Sequence, residues 1–184
     1  MTAPIEPIAP AFRASLGRSA SRVQRITLFR VAVPLKKEIT HASHSRAESE
    51  NLVVRVQLAE GQVGHGEGVP RPYVTGETIE SAFAVLSRHD WARVIGIPHN
   101  FAEVVSSLES LSLPEIEADP RGMAANAARC ALELALLDAY GRAFGEPVGR
   151  VVDLAQAPGL LRFPSPRKVR YGAAITAESA HNEL

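Results

Sequence analysis

One cysteine, one tryptophan and two methionines occur in 184 residues, and aromatic side chains make up only 5%. The lone thiol, Cys130, cannot close an internal disulfide or build a cysteine-rich zinc site, which fits a reducing cytoplasm. No apolar run approaches the roughly 18 residues needed to span a bilayer. Lysine and arginine number 20, aspartate and glutamate 20, so the formal net charge is zero. No global field therefore points to nucleic acid or to an anionic membrane. No repeat at solenoid spacing is present. What remains is a chain long enough for one domain with a real core, with room for appendages.

The first 22 residues set Arg13, Arg18 and Arg22 against one acid, Glu6, among early prolines and alanines. They lack the apolar core of a secretory signal, although an acid-poor, Arg- and Ser-rich start overlaps with organellar transit peptides. Without periodicity, residues 1–22 read as a disordered extension.

The chain is organised around Asn51–Thr78, NLVVRVQLAEGQVGHGEGVPRPYVTGET. Leu52, Val54, Val56 and Leu58 alternate with Val53, Arg55 and Gln57, the period of a half-buried strand. Glu60-Gly61 supplies a turn. Val63 resumes the strand, which ends through Gly64, Gly66 and Gly68. Glycines so spaced let a strand bend or let another backbone come close. A phosphate-binding reading needs these glycines to open a helix, and Pro70 and Pro72 forbid one. An exposed loop of Arg71, Tyr73 and Thr75 is expected instead.

Upstream, Arg25–Leu35 reads as a first strand ending near Pro34, followed by a polar loop over Lys36–Ser49. Downstream, Thr78 caps a helix through Ile79, Phe83 and Leu86. Asn100 and Glu103 form a capping-box-like start for a second, which Pro114 breaks. Asp119-Pro120 opens a third, running to about Tyr140 and stopped by Gly141, Gly145 and Pro147. Its apolar stripe is read as Met123, Ala127, Cys130, Leu134 and Leu137, which makes Cys130 a buried inert thiol. Its many alanines suggest close packing against another element. The fold class is α+β: a three-stranded antiparallel meander followed by a helical bundle.

Three segments in order carry a family resemblance. They are Val33-Pro34-Leu35-Lys36-Lys37, the stretch GHGEGVPRPYVTGET, and Ala127–Asp138 (AARCALELALLD) with Gly145-Glu146-Pro147. Together they resemble the N-terminal capping domain of the enolase superfamily, in its muconate lactonizing enzyme and mandelate racemase-like branch with the dipeptide epimerases. The resemblance covers about 23 to 171. It implies a lid domain over 23–147, a connector over 148–168, and, over 169–184, the first strand of a (β/α) barrel that is otherwise missing.

In that family the barrel carries the chemistry. Proton removal next to a carboxylate is assisted by Mg²⁺ held on barrel acids, with barrel lysines as base and acid. The resemblance therefore implies Mg²⁺ for the whole enzyme and none bound by this chain. No catalytic residue and no metal ligand is assigned. A histidine metal site, His41-x-x-His44 with His65-x-Glu67, is set aside because its spacing is not that of a zinc helix motif. The lid loops, Ile39–Ala47 and Val69–Thr75, are expected to face a small carboxylate substrate through His41, His44, Arg71 and Tyr73, with Arg71 placed to meet the carboxylate. Glu67 is expected to satisfy backbone donors at the strand end.

The implied function is the lid part of a muconate cycloisomerase-like isomerase, inactive as this fragment. The alternatives are a dipeptide epimerase fragment, a stand-alone binding or interaction module, and a non-functional remnant. An uncovered apolar face would favour self-association.

Overall fold

The computed structural model describes residues 21–41, 44–113 and 125–155. Three antiparallel strands come first: β1 (Val23–His41), β2 (His44–Leu58) and β3 (Val63–Gly68), in the order β1-β2-β3. Helices follow: α1 (Ile79–Ser87), α2 (Trp91–Ile95), α3 (Phe101–Glu109), α4 (Asn126–Phe144) and α5 (Arg150–Leu154). The α+β reading holds. The expected barrel strand at 169–184 lies outside the described residues.

The alternation in β2 does what its period requires. Leu52, Val54, Val56 and Leu58 are all fully buried beneath the helices. β1 adds Val23 to the core and packs Ile26 and Leu28 against it. The turn after β2 closes with Gly61 N–H donating to Leu58 O and Leu58 N–H to Gln62 O, and Gly61 takes φ +94°. That positive φ explains glycine at this position.

The hairpin departs from expectation. The polar stretch Lys36–Ser49 is no loop, because β1 runs on to His41 and β2 begins at His44. Pro34 marks an irregularity and not an end. Its partner is Glu48, and pairing resumes only at Ile39 with Arg46. A residue without an N–H cannot continue the ladder, so the chain bulges and re-pairs. Backbone pairing has overridden a polar composition.

The helix caps follow the sequence closely. Thr78 Oγ1 accepts from Ser81 N–H, and Ser81 Oγ accepts from Thr78 N–H. Asn100 Oδ1 accepts from Glu103 N–H, while Glu103 accepts from Asn100 Nδ2 and from His99 N–H. These donors hold the Glu103 carboxyl below its ordinary pKa, the His99 backbone N–H contributing most.

α4 corrects three expectations. Ala125 has φ +50° and ψ +31°, so a right-handed helix cannot run continuously from Pro120 through it. The helix passes through buried Gly141 and ends at Gly145, whose φ of +65° makes the left-handed cap. Its buried stripe runs through Ala128, Ala131, Leu132, Ala135, Leu136, Ala139 and Tyr140, not through Cys130 and Leu134, which are exposed. Cys130 is thus a surface thiol, though partial burial still raises its pKa.

At the chain's start, Ser21 already belongs to the ordered body, although the extension was expected to reach 22. It is buried, donates to Glu60, and accepts from Tyr140 Oη at 3.2 Å. Burial pushes the Tyr140 phenol up to about 12. The expected connector carries α5 at its beginning.

Candidate substrate-facing site

The glycine triplet positions the site. A Cβ on Gly64 would lie 2.2 Å from Ala139 N and 2.3 Å from Ala135 O; on Gly66, 2.1 Å from Ala131 O; on Gly68, 2.0 Å from Ala127 O. β3 therefore lies main chain to main chain along α4, and the alanines of α4 are the other half of that fit. No space remains there for a phosphate. Asp138 joins the two elements, accepting from His65 N–H at 3.0 Å and from Arg142 Nε at 2.9 Å.

The loop after β3 starts and finishes on one turn of α4. Gly68 seats against Ala127 O. Glu77, only 1% exposed, accepts from Ala127 N–H at 2.7 Å and from Ala128 N–H at 3.0 Å. Ala125 has no side-chain cap to offer α4, so a carboxylate from across the fold fills that role. Sequence reasoning missed Glu77. No local pattern around Glu77 or the start of α4 pointed to this contact, which joins residues 50 positions apart.

Between those anchors stands Arg71. Extending the β2–β3 register past Leu52 and Gly68 would put Pro70 opposite Glu50, and Pro70 has no N–H to give. The Arg71 side chain supplies the donor: Nη1 reaches Glu50 O at 3.1 Å and Pro70 O at 3.0 Å, and Nη2 reaches Ser49 Oγ at 2.8 Å. The loop is tightened further by Thr75, whose Oγ1 accepts from Arg71 N–H at 3.1 Å. Arg71, Tyr73 and Thr75 are consequently half-buried and not the exposed loop expected.

Arg71 thus straps the loop to β2 where the hairpin leaves the sheet. Its pKa is lowered, first by burial and next by the like charge of Arg46, while Tyr73 and Glu50 act in the opposite direction. Arg46 Nε is buried and meets no hydrogen-bond partner among the described residues. Arg46 was not singled out in the sequence. Glu50 is occupied elsewhere, accepting from Arg30 Nε and Nη2, and Arg30 also reaches Glu80 at 2.8 Å.

Of the expected site residues, the structure brings Arg71 and Tyr73 together beside Arg46 and Ser49. His41 and His44 are backbone partners at the hairpin tip. His65 and Glu67 pair with Arg55 and Val53, far down β2 from His44, so the four-residue metal site does not gather. Glu67 accepts from the Asn51 side-chain amide and not from backbone donors. No group of three His, Cys, Asp or Glu residues that could hold a metal ion occurs among the described residues. No helix among them is long and apolar enough to cross a membrane.

A three-stranded meander backed by a helical layer, with a hairpin and a loop strapped together at one end, defines a capping domain. Residues 24–152 match the model of the family described as Mandelate racemase / muconate lactonizing enzyme, N-terminal domain. The chain belongs to that family, within the enolase superfamily. It is 33% identical over 126 residues to an aromatic dipeptide epimerase of Herpetosiphon aurantiacus, covering 68% of this chain and 33% of the relative. It is 32% identical over 120 residues to muconate cycloisomerase 1 of Rhodococcus opacus, covering 63% and 29%. Among solved structures, the dipeptide epimerase of Methylococcus capsulatus complexed with Mg and the dipeptide L-Arg-D-Lys superposes with a TM-score of 0.56 at 28% identity, covering 71% of this chain and 34% of that one. The chain spans about a third of the length of these relatives.

Proposed function

We propose that this chain is the substrate-selecting lid of an isomerase that removes a proton from carbon next to a carboxylate. The observation that carries the reading is the Arg71 strap. It makes one unit of the two segments, the β1–β2 hairpin and the loop after β3, that a lid must present to a substrate. The lid folds over chemistry performed elsewhere in the polypeptide, and these residues alone turn nothing over. Mg²⁺ belongs to that other part.

Dipeptide epimerisation is the favoured reaction, because a dipeptide epimerase stands behind both the relative at 33% identity and the structure at a TM-score of 0.56. Muconate-type cycloisomerisation is the second reading, supported by the relative at 32%. The substrate is a small carboxylate in either case.

The test begins with the intact mass of the native protein by top-down mass spectrometry. Proton NMR then follows α-proton exchange of dipeptides in D₂O with Mg²⁺. The expected result is a longer product that exchanges, and a 184-residue chain that does not. Exchange by the 184-residue chain alone, or a longer product with no exchange on any dipeptide or on muconate, would sink the proposal.

A further inference from the structure

We infer that, independently of the lid reading, the open edge of β1 beside the α1–α2 corner takes an added strand from a partner protein, an extended segment whose side chains alternate apolar and acidic.

The register shows which backbone groups of β1 are free. Leu58 turns its N–H and C=O to the β2–β3 turn, to Gln62 O and Gly61 N–H. Backbone groups along an antiparallel strand point to alternate sides, so Gln57, Arg55 and Val53 turn theirs to β1. Their partners Arg25, Thr27 and Phe29 face back, which leaves Ile26 and Leu28 facing away from the sheet. No hydrogen bond among the described residues reaches those outward N–H and C=O groups. Further along, Pro34, Lys36 and Lys37 blunt the same edge. Ile26-Thr27-Leu28 carries no such guard.

That stretch is one wall of a cleft of about 480 Å³, and the corner from Leu86 to Ala92 is the other. Trp91 Nε1 closes the corner by donating to Leu86 O at 2.7 Å. His89 stands in this wall with its ring edge-on to Trp91, the centroids 5.0 Å apart. Its Nε2 is shielded from water and meets no hydrogen-bond partner among the described residues. An unpaired strand edge facing an unmatched polar atom suits a chain that brings its own N–H and C=O groups, as in strand addition.

Charge decides what that chain carries. Side chains of a strand paired with Ile26 and Leu28 alternate between two faces. On the helix side they meet Ile26, Leu28 and Leu86, which belong to the core or pack on it. On the other side they fall beside Arg25. Arg22, Arg25, Arg88 and Arg93 lie in the lining segments or next to them, and none forms an ion pair among the described residues. Asp90, the one acid in the lining, turns its carboxylate to the Arg93 N–H at 3.3 Å. In a chain of zero net charge this is a local positive excess, which acidic side chains complement. A second copy of the chain fits less well. Pairing the same two edges would bring its own α1–α2 corner into the space that one strand fills.

The probes are the peptide Ac-TEVEVEVT-NH2, its lysine counterpart Ac-TKVKVKVT-NH2, and the acidic peptide N-methylated at alternate residues. Each is titrated at matched ionic strength into the ¹⁵N-labelled 184-residue chain, with amide resonances and hydrogen exchange recorded. The expected result is saturable binding of the acidic peptide, with exchange at the Ile26 and Leu28 amides slowed about tenfold or more. The lysine and N-methylated peptides should bind about tenfold more weakly or worse. His89→Phe keeps a ring against Trp91 and loses Nε2, and should weaken binding about two- to tenfold, as should Arg25→Gln.

Equal binding of the acidic and lysine peptides, binding of neither, undiminished binding of the N-methylated peptide, or no effect of the two substitutions overturns the inference. So does protection that falls elsewhere in the chain. A concentration-dependent dimer that protects the same two amides would give the edge to a second copy. Amides already protected and deaf to peptide, in the 184-residue chain or in a longer native product, would give it to the protein's own polypeptide. Either result likewise refutes a partner strand.

Discussion

Replacing Gly66 by alanine tests the central packing claim. A Cβ there would meet Ala131 O at 2.1 Å, Ala135 N at 2.5 Å and the Leu134 Cβ at 2.9 Å. Two of the three are main-chain atoms of a helix, so no rotamer change can make room. Ordinary contact begins near 3.4 Å, so α4 must move from β3 by about 1.3 Å. That shift separates Leu132, Leu136 and Tyr140 from the sheet they pack on. A gap of 0.5–1 Å forfeits about a quarter to a half of each dispersion contact. Overpacking costs about 1–3 kcal/mol, and the upper end applies where backbone blocks backbone. Alanine returns about 0.5–1 kcal/mol by restricting the unfolded chain. The net loss is about 2–2.5 kcal/mol, equivalent to a fall in Tm of about 4–10 °C for a chain of this size. Urea unfolding followed by circular dichroism reads it directly. The control is Gly149→Ala, where nothing lies within 4 Å and φ is −57°, which should stay within about 0.5 kcal/mol of the parent. If the two variants unfold at the same midpoint, the close approach of β3 and α4 is wrong.

Glu77→Ala should destabilise by about 3 kcal/mol, because it strips two buried N–H groups at the start of α4 of their acceptor. Glu77→Gln, which keeps one oxygen, should lose roughly half as much in the same urea titration. The Tyr140 phenol, raised from 10.0 to about 12, holds stability that is complete below the unfolded pKa and is lost as pH climbs from 10 to about 12. A 295 nm titration should show a late phenolate component that disappears in Tyr140→Phe, and its persistence there would refute the assignment. Asn100→Ala should cost about 1 kcal/mol through loss of the α3 cap, checked by thermal melting.

How much of this was legible depends on which force decides each element. Alternation in β2 and the caps at Thr78 and Asn100 are local, so the residues announce them. The glycine triplet and the alanines of the last long helix both pointed to close packing, and each turned out to be the other's partner. The phase of that helix was misread because apolar Cys130 and Leu134 were taken into the stripe, although they face outward, while Ala128, Ala131, Ala135 and Ala139 recur three and four apart on the buried side. Small side chains give little apolar weight to that face, and the approach of β3 is what selects it. The long hairpin was hidden for a similar reason, since cross-strand hydrogen bonds leave no trace in a polar stretch such as Lys36–Ser49. Glu77 and Arg46 look like surface charges, and only the tertiary fold buries their polar atoms. Arg71 was read as a group for the substrate, yet its strapping role follows from the missing N–H of Pro70, a fact the sequence did contain.

The loop from 69 to 76 enters and leaves the body at one turn of α4, held by Gly68 on one side and the Glu77 carboxylate on the other. A segment closed on itself in this way behaves as a cassette. Its interior can be rewritten, or exchanged for the equivalent loop of a relative, while the two clamps keep the frame in register. Under the lid reading proposed above, substrate preference could be altered at a handful of positions around Arg71 and Tyr73 without disturbing the core beneath.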